Sequence, residues 1–147
     1  MTNERGSFGG QAVQTLVVDN FEAFRKLTCC ALKERAGVEV VGEAKDGLEA
    51  LHKFEELKPN LVMLDLDLPK LNGMEVAKSI RRSSSDCKIV FLALDTDPQI
   101  VHESFNCGAN AYLVKTNVIS ELCIALEEVF SGRRYLSHRI EPTSLLD

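Results

Sequence analysis

The sequence predicts an α/β fold, a doubly wound parallel sheet made of five βα units. Three observations predict it. Five short apolar runs alternate with segments whose apolar residues recur at helical spacing. The runs are continuous rather than alternating, as in strands buried on both faces. Turn and capping residues stand at the junctions, and right-handed crossovers then place helices on both sides of the sheet.

Each unit has its own justification. Residues 1–12 are polar and glycine-rich and read as a flexible leader. Val13 to Val18 is the first strand and ends in Asp19-Asn20; the helix after it sets Phe24, Leu27 and Ala31 on one face, with Gly37 as its stop. Val38 to Gly42 is the second strand. Asp46 and Glu49 have capping-box spacing, and Ala50, Leu51, Phe54 and Leu57 form the second helical stripe before Pro59. Leu61 to Leu64 is the third strand and ends in Asp65. Pro69 closes it, and Asn72-Gly73-Met74-Glu75 caps a helix carrying Gly73, Val76, Ala77 and Ile80 on one face. Lys88 to Leu94 is the fourth strand, and Asp97-Pro98 opens a helix with Val101, Ser104 and Phe105 inward, closed by Gly108. Ala111 to Val114 is the fifth strand, ending at Lys115. Val118, Leu122, Ala125, Leu126 and Val129 line the last helix, which stops at Gly132.

Composition narrows the function. A chain of 147 residues with 45% hydrophobic side chains buries one sizeable core. A net charge of −5 gives no nucleic-acid footprint, and Arg133-Arg134 is too small a basic cluster to supply one. No apolar stretch reaches membrane-spanning length, and the first residues lack the hydrophobic core of a signal peptide, so the expected address is the cytoplasm. The five cysteines, at 29, 30, 87, 107 and 123, include no CxxC pair and read as reduced, mostly buried thiols.

The chemistry comes from the strand ends. In a flavodoxin-like strand order 2-1-3-4-5, Asp19-Asn20, Asp65 and Lys115 converge beside the switch between the first and third strands, where open α/β sheets bind ligands. Clustered oxygen ligands suit Mg²⁺, which takes one or two carboxylates plus a phosphate. Lysine adds a point charge for the same phosphate. The plainer alternative is that Lys115 and Asp65 form only a structural ion pair.

These motifs together resemble the receiver domains of two-component response regulators. LDLDLP followed by NG is similar to the phosphoacceptor loop, VVDN to the acidic pair after the first strand, and GANAYLVK to the fifth-strand signature. The resemblance spans residues 13–131. It implies that Asp65 accepts a phosphoryl group from a sensor histidine kinase, and that Lys115 neutralises its charge. It implies Mg²⁺ held by Asp65, the Asp67 main-chain carbonyl and the side chain of Asn20, with Asp19 acting through water. Residue 93 and Tyr112 fall at the switch positions, which couple the site to a face made by the fourth helix, fifth strand and fifth helix, a possible homodimer surface. EEVFSGRRYLS resembles the receiver-to-linker segment of NarL/LuxR-type regulators, so residues 132–147 read as a stub toward a helix-turn-helix output domain that the chain lacks.

Two residues depart from that pattern. Asn20 stands where the family usually has a second acid, which implies weaker Mg²⁺ binding. Ala93 stands where it usually has Ser or Thr, which removes a hydrogen-bond donor to the phosphoryl oxygen. The expected function is thus a receiver that assists its own phosphorylation but is not an enzyme in the ordinary sense, with weakened metal binding and switching. The alternative is a phosphorylation-independent interaction or dimerisation module. A remoter one is a phosphatase, since Asp65-Leu66-Asp67 also resembles a DxD nucleophile motif.

Overall fold

A computed structural model describes residues 11–35 and 37–138 of the chain. The elements are β1 (Val13–Val18), α1 (Glu22–Lys33), β2 (Val38–Ala44), α2 (Gly47–Leu57), β3 (Leu61–Asp65) and α3 (Gly73–Ser83). They continue with β4 (Lys88–Ala93), α4 (Pro98–Asn106), β5 (Ala111–Val114), α5 (Val118–Phe130) and β6 (Tyr135–Leu136). The strands form one sheet, order β2-β1-β3-β4-β5-β6, and every pairing is parallel. The expected flavodoxin-like order is present, extended at one edge by a strand that the sequence did not announce.

Strand alternation sorts the core into two layers. Leu16, Val18, Val62, Leu64, Phe91 and Tyr112 pack with Ala50, Phe54, Val76, Ile80, Val101 and Phe105, which places α2, α3 and α4 on one face. Val17, Leu61, Met63, Val90, Leu92 and Leu113 pack with Cys29, Leu32, Leu122, Leu126 and Val129, which places α1 and α5 on the other. With both faces covered, β3 is buried along its whole length.

Capping chemistry fixes the helix starts. Asn72 and Glu75 form a complete capping box on α3. Asp97 accepts from the Gln99 N–H with Pro98 in the first turn of α4. At α2 the box is displaced: Asp46 accepts from the Glu49 N–H, but the Glu49 carboxylate accepts from Lys45 instead of Asp46. Gly73 starts α3 against the loop that follows β3, where an added Cβ would lie 2.5 Å from the Asp65 carbonyl oxygen. Only glycine fits that approach.

Some expectations need correction. Leu27 is 46% exposed, and the inward face of α1 is carried by Thr28, Cys29 and Leu32. Leu94 lies beyond β4 and is 67% exposed, although it continues the apolar run. β2 extends past Gly42 to Ala44. Of the chain-end expectations, residues 1–10 of the leader and 139–147 of the stub lie outside the described residues, while residues 135–136 of the stub are strand β6. Cys29, Cys30, Cys87, Cys107 and Cys123 are free thiols, and of the adjacent pair Cys29 is buried and Cys30 exposed. No helix among the described residues is long and apolar enough to cross a membrane.

Candidate functional site

Three strand ends meet at the carboxyl edge of the sheet. Parity does the first part of the work: Asp19, Asp65 and Lys115 each lie two residues past a side chain of the α1–α5 layer, namely Val17, Met63 and Leu113. β1 and β3 are direct neighbours, so the two carboxylates are brought side by side. Asp19 is fully buried and Asp65 is 4% exposed.

Lys115 Nζ lies 3.0 Å from Asp19 Oδ2 and 3.4 Å from Asp65 Oδ2, with the lysine side chain 11% exposed. The remaining oxygens take backbone donors. Asp19 Oδ1 accepts from the Phe21 N–H at 2.8 Å, and Asp65 Oδ1 accepts from the Asp67 N–H at 3.1 Å. Asp19 Oδ2 is buried and, though close to the ammonium, has no hydrogen bond of acceptable geometry.

One lysine does not fully offset two buried carboxylates. Burial first, and then the neighbouring charge of Asp19, push the Asp65 carboxyl up to about 6, against the opposing pull of Lys115 and the Asp67 N–H. A buried acid raised by desolvation and a like charge at a sheet edge is an arrangement of the kind found at functional sites.

The other site residues fall into place unequally. Asn20 is exposed at the rim, and the Asp67 side chain is exposed while its N–H reaches inward. Ala93 is 2% exposed and packs in the α2–α4 layer that also holds Tyr112, so this position at the end of β4 supplies no hydroxyl. Tyr112 is fully buried, its phenol donating to the Asp95 carbonyl at 2.8 Å.

The residues fit a divalent cation. Among the described residues no three His, Cys, Asp or Glu side chains gather as a metal cluster. Two carboxylates are nevertheless enough for Mg²⁺, which keeps several waters. Asp19 Oδ2 is a buried anionic oxygen with the Lys115 ammonium as its ion-pair partner and no hydrogen bond, so it has acceptor capacity that a cation or its water would use.

Two residues on α1 were not singled out as site residues by sequence reasoning. Arg25 Nη1 donates to the Asp19 carbonyl at 3.0 Å while its Nε donates to Glu43 Oε1 at 2.8 Å, bracing the loop after β1 against β2. Phe24 places its ring under the Lys115 ammonium, 4.7 Å from centroid to Nζ. The available signal was position: both lie in the first turns of the helix that starts just after Asp19.

Comparison with known proteins identifies the family of the chain and agrees with its fold. A family model described as response regulator receiver domain matches residues 15–127. The response regulator GacA of Pseudomonas viridiflava is 33% identical over 128 residues, 87% of this chain and 60% of that protein. The chain therefore spans about three-fifths of the length of such curated relatives. A LuxR-family two-component response regulator from Aurantimonas sp. SI85-9A1 superposes with a TM-score of 0.85 at 28% identity, covering 92% of this chain and 96% of that one. The signal receiver domain of the NarL regulator from Mycobacterium tuberculosis superposes with a TM-score of 0.78 at 29% identity, covering 84% and 99%.

Proposed function

The chain belongs to the response regulator receiver domain family, and from that footing we propose that Asp65 is its phosphoacceptor, charged by a sensor histidine kinase. The observation that carries this is the buried Asp65 carboxylate, held by the Asp67 N–H and Lys115 beside the under-satisfied Asp19. In the reaction an Asp65 oxygen attacks the phosphorus of a phosphohistidine. An O–P bond forms, the N–P bond breaks, and the imidazole leaves with the electron pair and picks up a proton. Little covalent help is needed, so the protein contributes position and charge. Lys115 neutralises the carboxylate and phosphoryl oxygens, and the Asp67 N–H orients the nucleophile. Asp65, the Asp67 main-chain carbonyl and Asn20 would hold Mg²⁺, with Asp19 acting through water, and the ion would supply positive charge for the phosphoryl oxygens. Asn20 contributes a neutral oxygen where an acid would contribute a charge, and metal affinity is correspondingly weak.

Treatment with acetyl phosphate and Mg²⁺ tests the assignment. One phosphate is expected by intact-mass spectrometry, and none in Asp65→Asn. Label persisting in that variant overturns it.

A second reading is favoured by one observation, the inward Tyr112 hydrogen-bonded to Asp95. With Ala93 beside it in the same layer, the face made by α4, β5 and α5 is set in advance, and the domain serves as an interaction or homodimerisation module independent of phosphorylation. Sedimentation of the unmodified protein and Asp65→Asn at matched concentrations separates the two. Equal self-association with and without phosphodonor supports the module; association gained only on phosphorylation supports the switch. Nothing favours the DxD phosphatase, since the Asp67 side chain is exposed and its backbone N–H is what reaches Asp65.

A further inference from the structure

We propose that Phe24 is a positioning residue for the phosphoacceptor site, its ring face holding the Lys115 ammonium between Asp19 and Asp65. For its consequence in phosphoryl transfer, this rests on Asp65 being the acceptor.

The lysine needs a third support. It leaves the sheet at the start of a 3-10 turn, Lys115–Asn117, on a flexible stem, and its ammonium must sit between two carboxylates on two other strands. Asp19 Oδ2 and Asp65 Oδ2 account for two sides of the ammonium. The Phe24 ring accounts for another, with Nζ 4.7 Å from its centroid. An ammonium within about 6 Å of an aromatic centroid is attracted by the negative face of the ring, and more strongly where water is displaced. Lys115 is in that position, with its side chain 11% exposed.

Phe24 itself is half-buried and packs at the border of the α1–α5 core layer. α1 therefore serves both members of the Lys115–Asp19 ion pair with consecutive residues. Phe24 faces Lys115, while Arg25 ties down the Asp19 carbonyl. A leucine at position 24 would fill the same apolar border. It would offer no charge-attracting face, and the ammonium would share that side with water.

The test uses the full chain with mono-, di- and trifluorinated phenylalanine at position 24, which nearly preserves volume while draining the ring face. Two readouts are followed: exchange of the Lys115 ammonium protons with water by NMR, and the rate of phosphorylation by acetyl phosphate with Mg²⁺. Exchange should quicken stepwise along the series, and phosphorylation should slow by roughly fivefold at the trifluoro ring. Phe24→Leu should match the trifluoro protein, and Phe24→Trp should retain the original behaviour. Exchange that stays flat overturns the proposal, whether or not Asp65 takes a phosphate. Quickened exchange with unchanged phosphorylation overturns the positioning role. Failure of the unmodified protein to be phosphorylated sinks the phosphoacceptor assignment instead, and the exchange series still decides whether the ring holds the lysine.

Discussion

Two buried carboxylate clusters stand at different places in this domain, and they are built in opposite ways. Glu121, on the first turn of α5, is 4% exposed and well partnered. Its Oε1 accepts from Ser137 Oγ at 2.5 Å, and its Oε2 accepts from the His138 N–H at 3.0 Å and lies 3.0 Å from His138 Nδ1. It clasps the end of β6 to α5. The Asp19–Asp65 cluster places two carboxylates against one ammonium and leaves Asp19 Oδ2 without a hydrogen bond. Burial of an acid is common to both. Unrelieved charge belongs to one, and that is the one proposed above to take a cation and a phosphoryl group.

The largest expected effect tests that difference directly. Asp65→Asn should stabilise the protein, because it removes a charge the fold holds at a cost. The Asp65 carboxyl rises from an ordinary 3.8 to about 6, which at about 1.36 kcal/mol per pH unit amounts to on the order of 3 kcal/mol. The sign follows from proton counting. Between those two values the native state keeps a proton that the unfolded chain has lost, so stability falls as pH rises from about 4 to about 6 and stays low above it. Urea unfolding across pH 4 to 8, about the range that spans the transition, should show Asp65→Asn gaining over the unmodified protein as pH rises. A variant less stable at neutral pH would erase the contrast between the clusters.

Glu121→Ala should do the reverse. It strands the Ser137 hydroxyl, which is buried, and releases the His138 N–H, at a cost of about 2 kcal/mol. Amide exchange should quicken at Tyr135 to Ser137, whose N–H groups at 135 and 137 bond the Asn110 and Tyr112 carbonyls. Unchanged stability and exchange would show that β6 holds without the clasp.

The clusters also differed in how readily the sequence disclosed them. Asp65 and Lys115 stand at the ends of continuous, fully buried apolar strands, and a carboxylate or ammonium after such a run has few placements other than the sheet edge. β6 is two residues long, too short for any periodicity, and its seat depends on Glu121 meeting Ser137 sixteen positions away. Leu27 misled because α1 buries Thr28, a polar residue on the inward face, while the leucine beside it faces solvent. Leu94 misled because the apolar run outlasts the pairing, β5 ending opposite Ala93. Phe24 was read as core; its second contact, the Lys115 ammonium, lies across the fold and leaves no mark in local spacing.

Adding charge to the strained cluster sharpens the comparison. Asn20→Asp places a third carboxylate at the rim of the pocket, and Mg²⁺ affinity should rise by about tenfold, since affinity follows ligand charge. The metal-free protein should at the same time lose a little stability. Calorimetric titration reads the first and thermal unfolding the second. An unchanged or weaker affinity would mean that residue 20 does not reach the metal.

The smallest effect concerns how far the strained cluster is felt elsewhere. Tyr112 is fully buried and donates to the Asp95 carbonyl at 2.8 Å, and Ala93 packs in the same layer at 2% exposure. A ring already inward has nowhere to travel when Asp65 is modified, and an alanine cannot draw the strand toward a phosphoryl oxygen. Beryllofluoride should therefore shift the amides of residues 98–131 only slightly in the unmodified protein. Ala93→Thr adds a methyl group and a hydroxyl to closed packing, at a cost of about 1 kcal/mol, and should loosen the Tyr112 ring from its inward seat. The same variant restores a donor near the phosphoryl group, so beryllofluoride should then draw the ring back and shift that face clearly. Large shifts in the unmodified protein, or none gained with threonine, would show that the pocket speaks to the α4, β5 and α5 surface by a route that does not pass through residue 93.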